Sequence, residues 1–162
     1  MNLLDIFSKV FMDKEFKENV NFFSTIALFK GLSIKSLGKL VSVAHKKTYF
    51  SGETVFEQGQ VGRVLYIVKS GGVSVTKNAQ KISSYSVGES FGEVAMLEEL
   101  PRTATIVCDT DTELYLIYKV KYDSFIEQYP KAGLTLFKNL ALSISAKLRN
   151  CLDKLDKSFK KD

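Results

Sequence analysis

In "FGEVAMLEELPRTATI", residues 91 to 106, one acid and one arginine bracket a short apolar run. Gly92-Glu93 precede "VAML", and Pro101-Arg102 follow nine residues further on. Each residue type suits a different contact. Gly92 lets backbone approach a ligand closely, and "EVAML" can open a short helix whose first N–H groups face an anion. Arg102 offers a planar fork matched to two phosphate oxygens, and Thr103 adds a hydroxyl donor beside it. Glu93, as a carboxylate, only accepts hydrogen bonds, so it suits a sugar hydroxyl and not a phosphate. A ligand carrying one anionic phosphate beside a ribose hydroxyl satisfies all four residues together.

Other chemistries lack the residues they need. The chain has one histidine, His45, with no evident partner, so neither a Ser-His-Asp arrangement nor a histidine metal site can be assembled. No catalytic residue, no metal ligand and no cofactor is expected; His45 reads as structural, and the protein as a binding module. Cys108 and Cys151 match no metal spacing and read as small buried hydrophobes. The net charge is +5, but residues 147 to 162 hold six Lys or Arg against three Asp, so most of the excess sits at one end. A basic helix end is commonly a solvated terminus that compensates the helix dipole, so DNA is not an expected partner.

The elements that must position this run change period along the chain. Residues 3 to 29 read as helical, with Leu3, Leu4, Phe7, Val10 and Phe11 at helical spacing and Phe22, Ile26 and Phe29 after them. Lys30-Gly31 is a stop, and Ser33 an N-cap for "IKSLGKLVSVA". From His45 the pattern alternates in short runs punctuated by Gly52, Gly59, Gly62, Gly71-Gly72 and Gly88. This predicts a mainly β core, an antiparallel sandwich or barrel over about 46 to 119, with flanking helices. "KYDSFIEQY" predicts a short helix before Pro130, and 131 to 155 a longer one. There Leu134, Ala141, Leu148 and Leu155 recur every seven residues, with Phe137, Ile144 and Cys151 three residues after the first three. The stripe fits either a dimer seam or the inner face of one amphipathic helix.

"FGEVAML...LPRTAT" resembles the phosphate-binding cassette of cyclic-nucleotide-binding domains, through Phe91, Gly92, Glu93, Ala95, Leu97, Pro101, Arg102, Thr103 and Ala104. Upstream, "LFKGLS" and "YFSGETVFEQGQ...LYIVKSGGVSV" are similar to that family's helical entry and first hairpins, so the resemblance spans residue 21 to about 150. It implies an antiparallel, jelly-roll-like β-roll of eight strands with N-terminal helices and C-terminal lid helices. Carried over by position, Glu93 accepts the ribose 2′-hydroxyl, Arg102 pairs the cyclic phosphate, and backbone amides near Gly92, Val94 and Ala95 surround the ligand. Thr103 meets the phosphate or a purine substituent. The lid falls on residues 131 to 152, with Ser143, Lys147 and Leu148 as its candidate contacts to the base. General abundance favours cAMP over cGMP, which Thr103 also permits.

The expected organisation is an N-terminal helical extension over 1 to 20, the nucleotide domain over 21 to 152, and a basic tail over 153 to 162. No run reaches the length of a membrane span, the start lacks a signal-peptide cleavage site, and nothing resembling a helix-turn-helix follows the lid. A free-standing cytoplasmic sensor is therefore expected, signalling to an unidentified protein effector or through a homodimer over 134 to 155. Two rivals stand beside it. One is a ligand-free scaffold in which Glu93 and Arg102 form a buried structural ion pair. The other is a nucleic-acid-binding regulator that uses the basic tail.

Overall fold

Alternation along two strands separates the molecule into two apolar layers. The structure, a computed structural model, describes residues 3–98 and 100–159, with side chains placed from residue 13 onward except at 95, 155, 158 and 159. In "VLYIVKS", Leu65 and Ile67 are fully buried on one side, while Tyr66 and Val68 are buried on the other. "TELYLIY" repeats the pattern, with Tyr115 and Ile117 facing the first side and Leu114 and Leu116 the second. A period of two places alternate side chains on opposite faces, so a strand apolar at every position must be covered on both.

Eight strands supply the covering from one side: β1 (His45–Tyr49), β2 (Thr54–Phe56), β3 (Val64–Ser70), β4 (Gly72–Lys77), β5 (Gln80–Ser86), β6 (Ser90–Phe91), β7 (Thr105–Cys108) and β8 (Thr112–Tyr118). They form two four-stranded antiparallel sheets, ordered β1-β8-β3-β6 and β2-β7-β4-β5. Between the sheets lie Val68, Val73, Phe91, Ile106, Leu114 and Leu116. This is the β-roll that the alternating pattern and the resemblance imply.

Helices cover the outer face of the first sheet: α1 (Leu3–Thr25), α2 (Ile34–Val43), α3 (Val94–Leu97), α4 (Lys119–Gln128) and α5 (Pro130–Phe159), with a 3-10 turn at Ala27–Phe29. Phe23, Phe29, Leu37, Leu40, Leu136 and Leu140 pack there against Leu65, Ile67 and Ile117. Ser33 caps α2 by accepting the Ser36 amide at 3.2 Å, and Gly31, at φ +84°, turns the chain ahead of it. α5 begins on Pro130 itself, where the missing N–H costs no intrahelical bond. Its start crosses α4 closely at Gly133, where a Cβ would come within 2.9 Å of Ile126.

Several expectations are revised. The helical reading of 3 to 29 divides into α1 and the 3-10 turn, and α1 runs unbroken through residue 20, where Val20 joins the core. α5 extends beyond the expected lid, taking 153 to 159 of the basic tail into the helix; residues 160 to 162 lie outside the described residues. The heptad stripe only partly faces inward: Leu134, Phe137, Ala141 and Leu148 are exposed, Ile144 is half-buried against the helical core, and the fully buried positions are Leu136 and Leu140. The side chains of Leu155 and of Leu3, Leu4, Phe7, Val10 and Phe11 lie outside those described. Cys108 is buried as expected, whereas Cys151 is exposed. His45 is the first residue of β1, its ring edge-on to Tyr118 at 5.6 Å between centroids.

Candidate functional site

Arg102 is held from three directions. Its backbone is clamped to the loop after β2: Arg102 N–H donates to the Gln60 carbonyl, and Gly59 N–H donates to the Arg102 carbonyl, both at 2.8 Å. The side chain then turns inward, 8% exposed, and its Nη2 donates to the Val64 carbonyl at 2.9 Å. The guanidinium carbon lies 4.2 Å from the Phe56 ring centroid and 5.7 Å from that of Tyr66. Two glycines make the room. A Cβ on Gly62 would overlap the guanidinium, reaching within 2.5 Å of Nη2, and one on Gly92 would sit 2.9 Å from Nη1. Gly92 also has φ +83°, a conformation glycine adopts without strain.

What Arg102 lacks is an acid. Among the described residues no carboxylate pairs with it, and its buried Nε has no hydrogen-bond partner. Burial pulls the guanidinium below its ordinary value, and the neighbouring Tyr66 phenol partly offsets that. Arginine stays charged in proteins, so this is a buried cation without a counter-ion. An unpaired buried charge is costly unless an anion completes it.

Glu93 lies on the same cavity and is 4% exposed. It stands at the start of α3, where its carbonyl accepts the Met96 amide at 2.9 Å, so the amides of Val94 and Ala95 have no carbonyl of their own turn to bond. Its carboxylate accepts from Ser90 Oγ at 2.7 Å, Lys147 Nζ at 2.6 Å and Ser143 Oγ at 3.3 Å. Glu93 therefore pairs with Lys147 of α5 and not with Arg102, which removes the structural ion pair on which the scaffold rival rests. Lys147 is also turned inward and is not part of a free basic face.

The cavity encloses about 480 Å³ between the second sheet, the 91 to 104 segment and α5. Phe56, Val75, Tyr85 and Ile106 form its apolar wall, and Ile144, Leu148 and Cys151 line it from α5. Burial, then the charge of Glu93, pushes the Tyr85 phenol up to about 12. Gly92, Glu93, Val94, Arg102 and Thr103 all line this one space, with Thr103 exposed at its rim. Ala95 belongs to α3, its side chain outside those described. Of the three residues expected to meet a base, Lys147 and Leu148 line the cavity, and Ser143 and Lys147 hydrogen-bond to Glu93. Such a space, with an apolar wall, one unpaired cation and one acceptor, fits a small anion joined to a flat apolar group.

Gly62, Ser90, Phe56 and Tyr85 were not singled out from sequence. Ser90, three residues before Glu93, carried a local signal; the others meet the cassette only through sheet pairing. Among the described residues no cluster could hold a metal ion, and no helix is long and apolar enough to cross a membrane.

Known proteins share sequence and fold with this chain. A family model described as the cyclic nucleotide-binding domain matches residues 46–129. The cyclic AMP receptor protein of Thermus thermophilus is 31% identical over 134 residues, covering 80% of this chain and 60% of that protein. A cAMP-dependent protein kinase regulatory subunit of Mucor circinelloides is 36% identical over 90 residues, covering 56% of this chain and 21% of that one. The chain thus spans between a fifth and three fifths of the length of these curated relatives. The crystal structure of a cyclic nucleotide-binding domain from Methylobacillus flagellatus superposes with a TM-score of 0.80 at 24% identity, covering 90% of this chain and 85% of that one, and so matches in fold.

Proposed function

Since the chain belongs to the cyclic nucleotide-binding domain family, we propose that its cavity binds a cyclic nucleotide through the residues of the 91 to 104 segment. The observation that carries this is Arg102, a buried guanidinium with no carboxylate partner among the described residues. The cyclic phosphate supplies the missing anion, with the Val94 and Ala95 amides and the Thr103 hydroxyl around it. Glu93 accepts the ribose 2′-hydroxyl, and the purine lies against the apolar wall under Leu148 and Ile144. We favour cAMP over cGMP, which the names of the two curated relatives support.

The role we assign is regulatory and non-catalytic: a sensor in which the position of α5 reports occupancy. Supporting this, α5 contacts the site through Ser143, Lys147 and Leu148 while Leu136 and Leu140 anchor its first turns in the core. Ligand shifts α5 only to the extent that it binds one position of the helix more tightly than another. The exposed Leu134 and Phe137 offer a surface for an effector or a second copy of the chain. Two free cysteines suit a cytoplasmic setting.

Calorimetric titration with cAMP and with cGMP tests this, using the wild type and Arg102→Ala. Saturable binding by the wild type is expected, weakened in the variant by about 2 to 5 kcal/mol, the cost of leaving a buried charge unpaired. Absence of binding by the wild type at high micromolar nucleotide overturns the proposal.

A further inference from the structure

Three donors converge on a single oxygen of Glu93. Ser90 Oγ, Lys147 Nζ and Ser143 Oγ all reach Oε1, while Oε2 receives no hydrogen bond among the described residues. Lys147 itself makes two hydrogen bonds. Its ammonium has three protons. One goes to Glu93 Oε1 and one to the Ser90 carbonyl, both at 2.6 Å, and the ammonium also lies 4.5 Å from the Tyr85 ring centroid. Two of its three protons are thus committed within the protein, one of them to Glu93. Lys147 therefore acts on a ligand through Glu93.

Charge points the same way. Arg102, Lys147 and Glu93 are the charged side chains lining the cavity, a net charge of +1. Without Lys147 the lining is neutral, and the Glu93 carboxylate opposes any anion brought in beside it. Like charges sharing a low-dielectric space disfavour each other strongly.

We propose that Lys147 is a positioning residue, which pins Glu93 through Oε1 so that Oε2 faces the ligand's hydroxyl and which cancels the carboxylate's charge so that the cavity accepts a monoanion. This rests on the cyclic-nucleotide reading given above. It makes α5 and the ligand joint partners of one carboxylate, each using its own oxygen, and not rivals for the same one. A rival arrangement, with Lys147 standing in the place of the sugar hydroxyl, predicts unchanged or tighter cAMP binding once Lys147 is replaced.

The test is calorimetry on the full chain with two probes, cAMP and 2′-deoxy-cAMP, for the wild type, Lys147→Gln, Lys147→Arg and Arg102→Ala. The Lys147 side chain is 32% exposed, so these variants should fold, and a thermal melt checks that they do. In Lys147→Gln, cAMP binding is expected to weaken roughly 10- to 100-fold, the scale of one hydrogen bond to a charged group. The preference for cAMP over the 2′-deoxy probe should shrink with it, because a loosened Glu93 no longer selects the hydroxyl. Lys147→Arg should restore most of both. Unchanged or tighter cAMP binding by a folded Lys147→Gln, with wild-type binding normal and Arg102→Ala impaired, overturns this inference alone. An unchanged preference ratio in that variant overturns it equally. No binding by the wild type removes the cyclic-nucleotide reading and this inference with it.

Discussion

Replacing Gly62 by alanine should disable the phosphate side of the cavity without replacing a single polar side chain. Gly62 does not have a positive φ, so alanine fits its backbone and the only new feature is a methyl group. That methyl would overlap the Arg102 guanidinium, closest at Nε and Cζ and still only 2.5 Å from Nη2. Restoring an ordinary carbon contact of about 3.5 Å at Nε requires the guanidinium to retreat by roughly 1.5 Å. The bond from Nη2 to the Val64 carbonyl, now 2.9 Å, does not survive such a shift. Loss of that bond and of the stacking on Phe56 should cost the free protein about 1 to 3 kcal/mol, part of it recovered as the cation regains water. Ligand binding should suffer more, weakening by about 2 to 5 kcal/mol, or roughly 30-fold to several thousand-fold, because the phosphate loses its partner. The decisive assay is a double-mutant cycle with Arg102→Ala, reading cAMP affinity by calorimetry and stability by urea unfolding. Once Arg102 is gone, Gly62→Ala has nothing left to displace and should cost binding almost nothing more. Wild-type affinity in Gly62→Ala, or full additivity in the double variant, would refute the claim that Gly62 matters through Arg102.

Two further outcomes follow from the packing. Burial pushes the phenols of Tyr85, Tyr115 and Tyr122 up to about 12, while an unfolded tyrosine ionises near about 10. Between those values the unfolded chain holds fewer protons than the folded one, so stability should fall as pH rises from about 10 to about 12. Phenolate absorbance followed alongside circular dichroism checks this; ionisation of all seven tyrosines near 10 with the fold intact would contradict it. On α5, Leu140→Ala should destabilise by about 2 to 5 kcal/mol, whereas Leu134→Ala should stay within about 0.5 kcal/mol. Urea midpoints measure both, and a reversed order would mean that α5 docks by its other face.

The cassette was legible because its chemistry is local: Gly92, Glu93, Arg102 and Thr103 lie within twelve residues, and each side chain type limits what it can contact. The short β-rich run around Leu65 to Val68 likewise marked a strand, although not the two different layers it joins. α5 misled for a physical reason. Its inner face begins with Leu136 and Leu140 but continues as Ser143 and Lys147, which are polar because they meet Glu93. A search for apolar periodicity skips such a face and finds instead a stripe that is exposed at Leu134, Phe137 and Ala141 and reaches the cavity at Ile144, Leu148 and Cys151. Gly62 was one punctuating glycine among many until β3 carried the chain past Arg102. Cys151 illustrates the limit of residue averages, since cysteine is commonly buried and this one is not.

The order in which the two layers can be completed has a consequence of its own. The inter-sheet layer is built from residues 49 to 116, so a nascent chain holds all of it before α5 is made. The helical layer needs both ends: Asn139 donates to the Leu28 and Lys30 carbonyls, and Tyr115 donates to Asn19 across 96 positions. Contacts of such sequence separation are late to form, because the chain between them must be ordered first. The β-roll can therefore assemble as a unit and receive α5 as its last addition. An element added last is also the one whose release disturbs least, so a local opening of α5 lies within reach of the folded state without unfolding the roll. Hydrogen exchange should show the amides of β3 and β8 exchanging only on global unfolding, while those of the second half of α5 exchange through that smaller excursion.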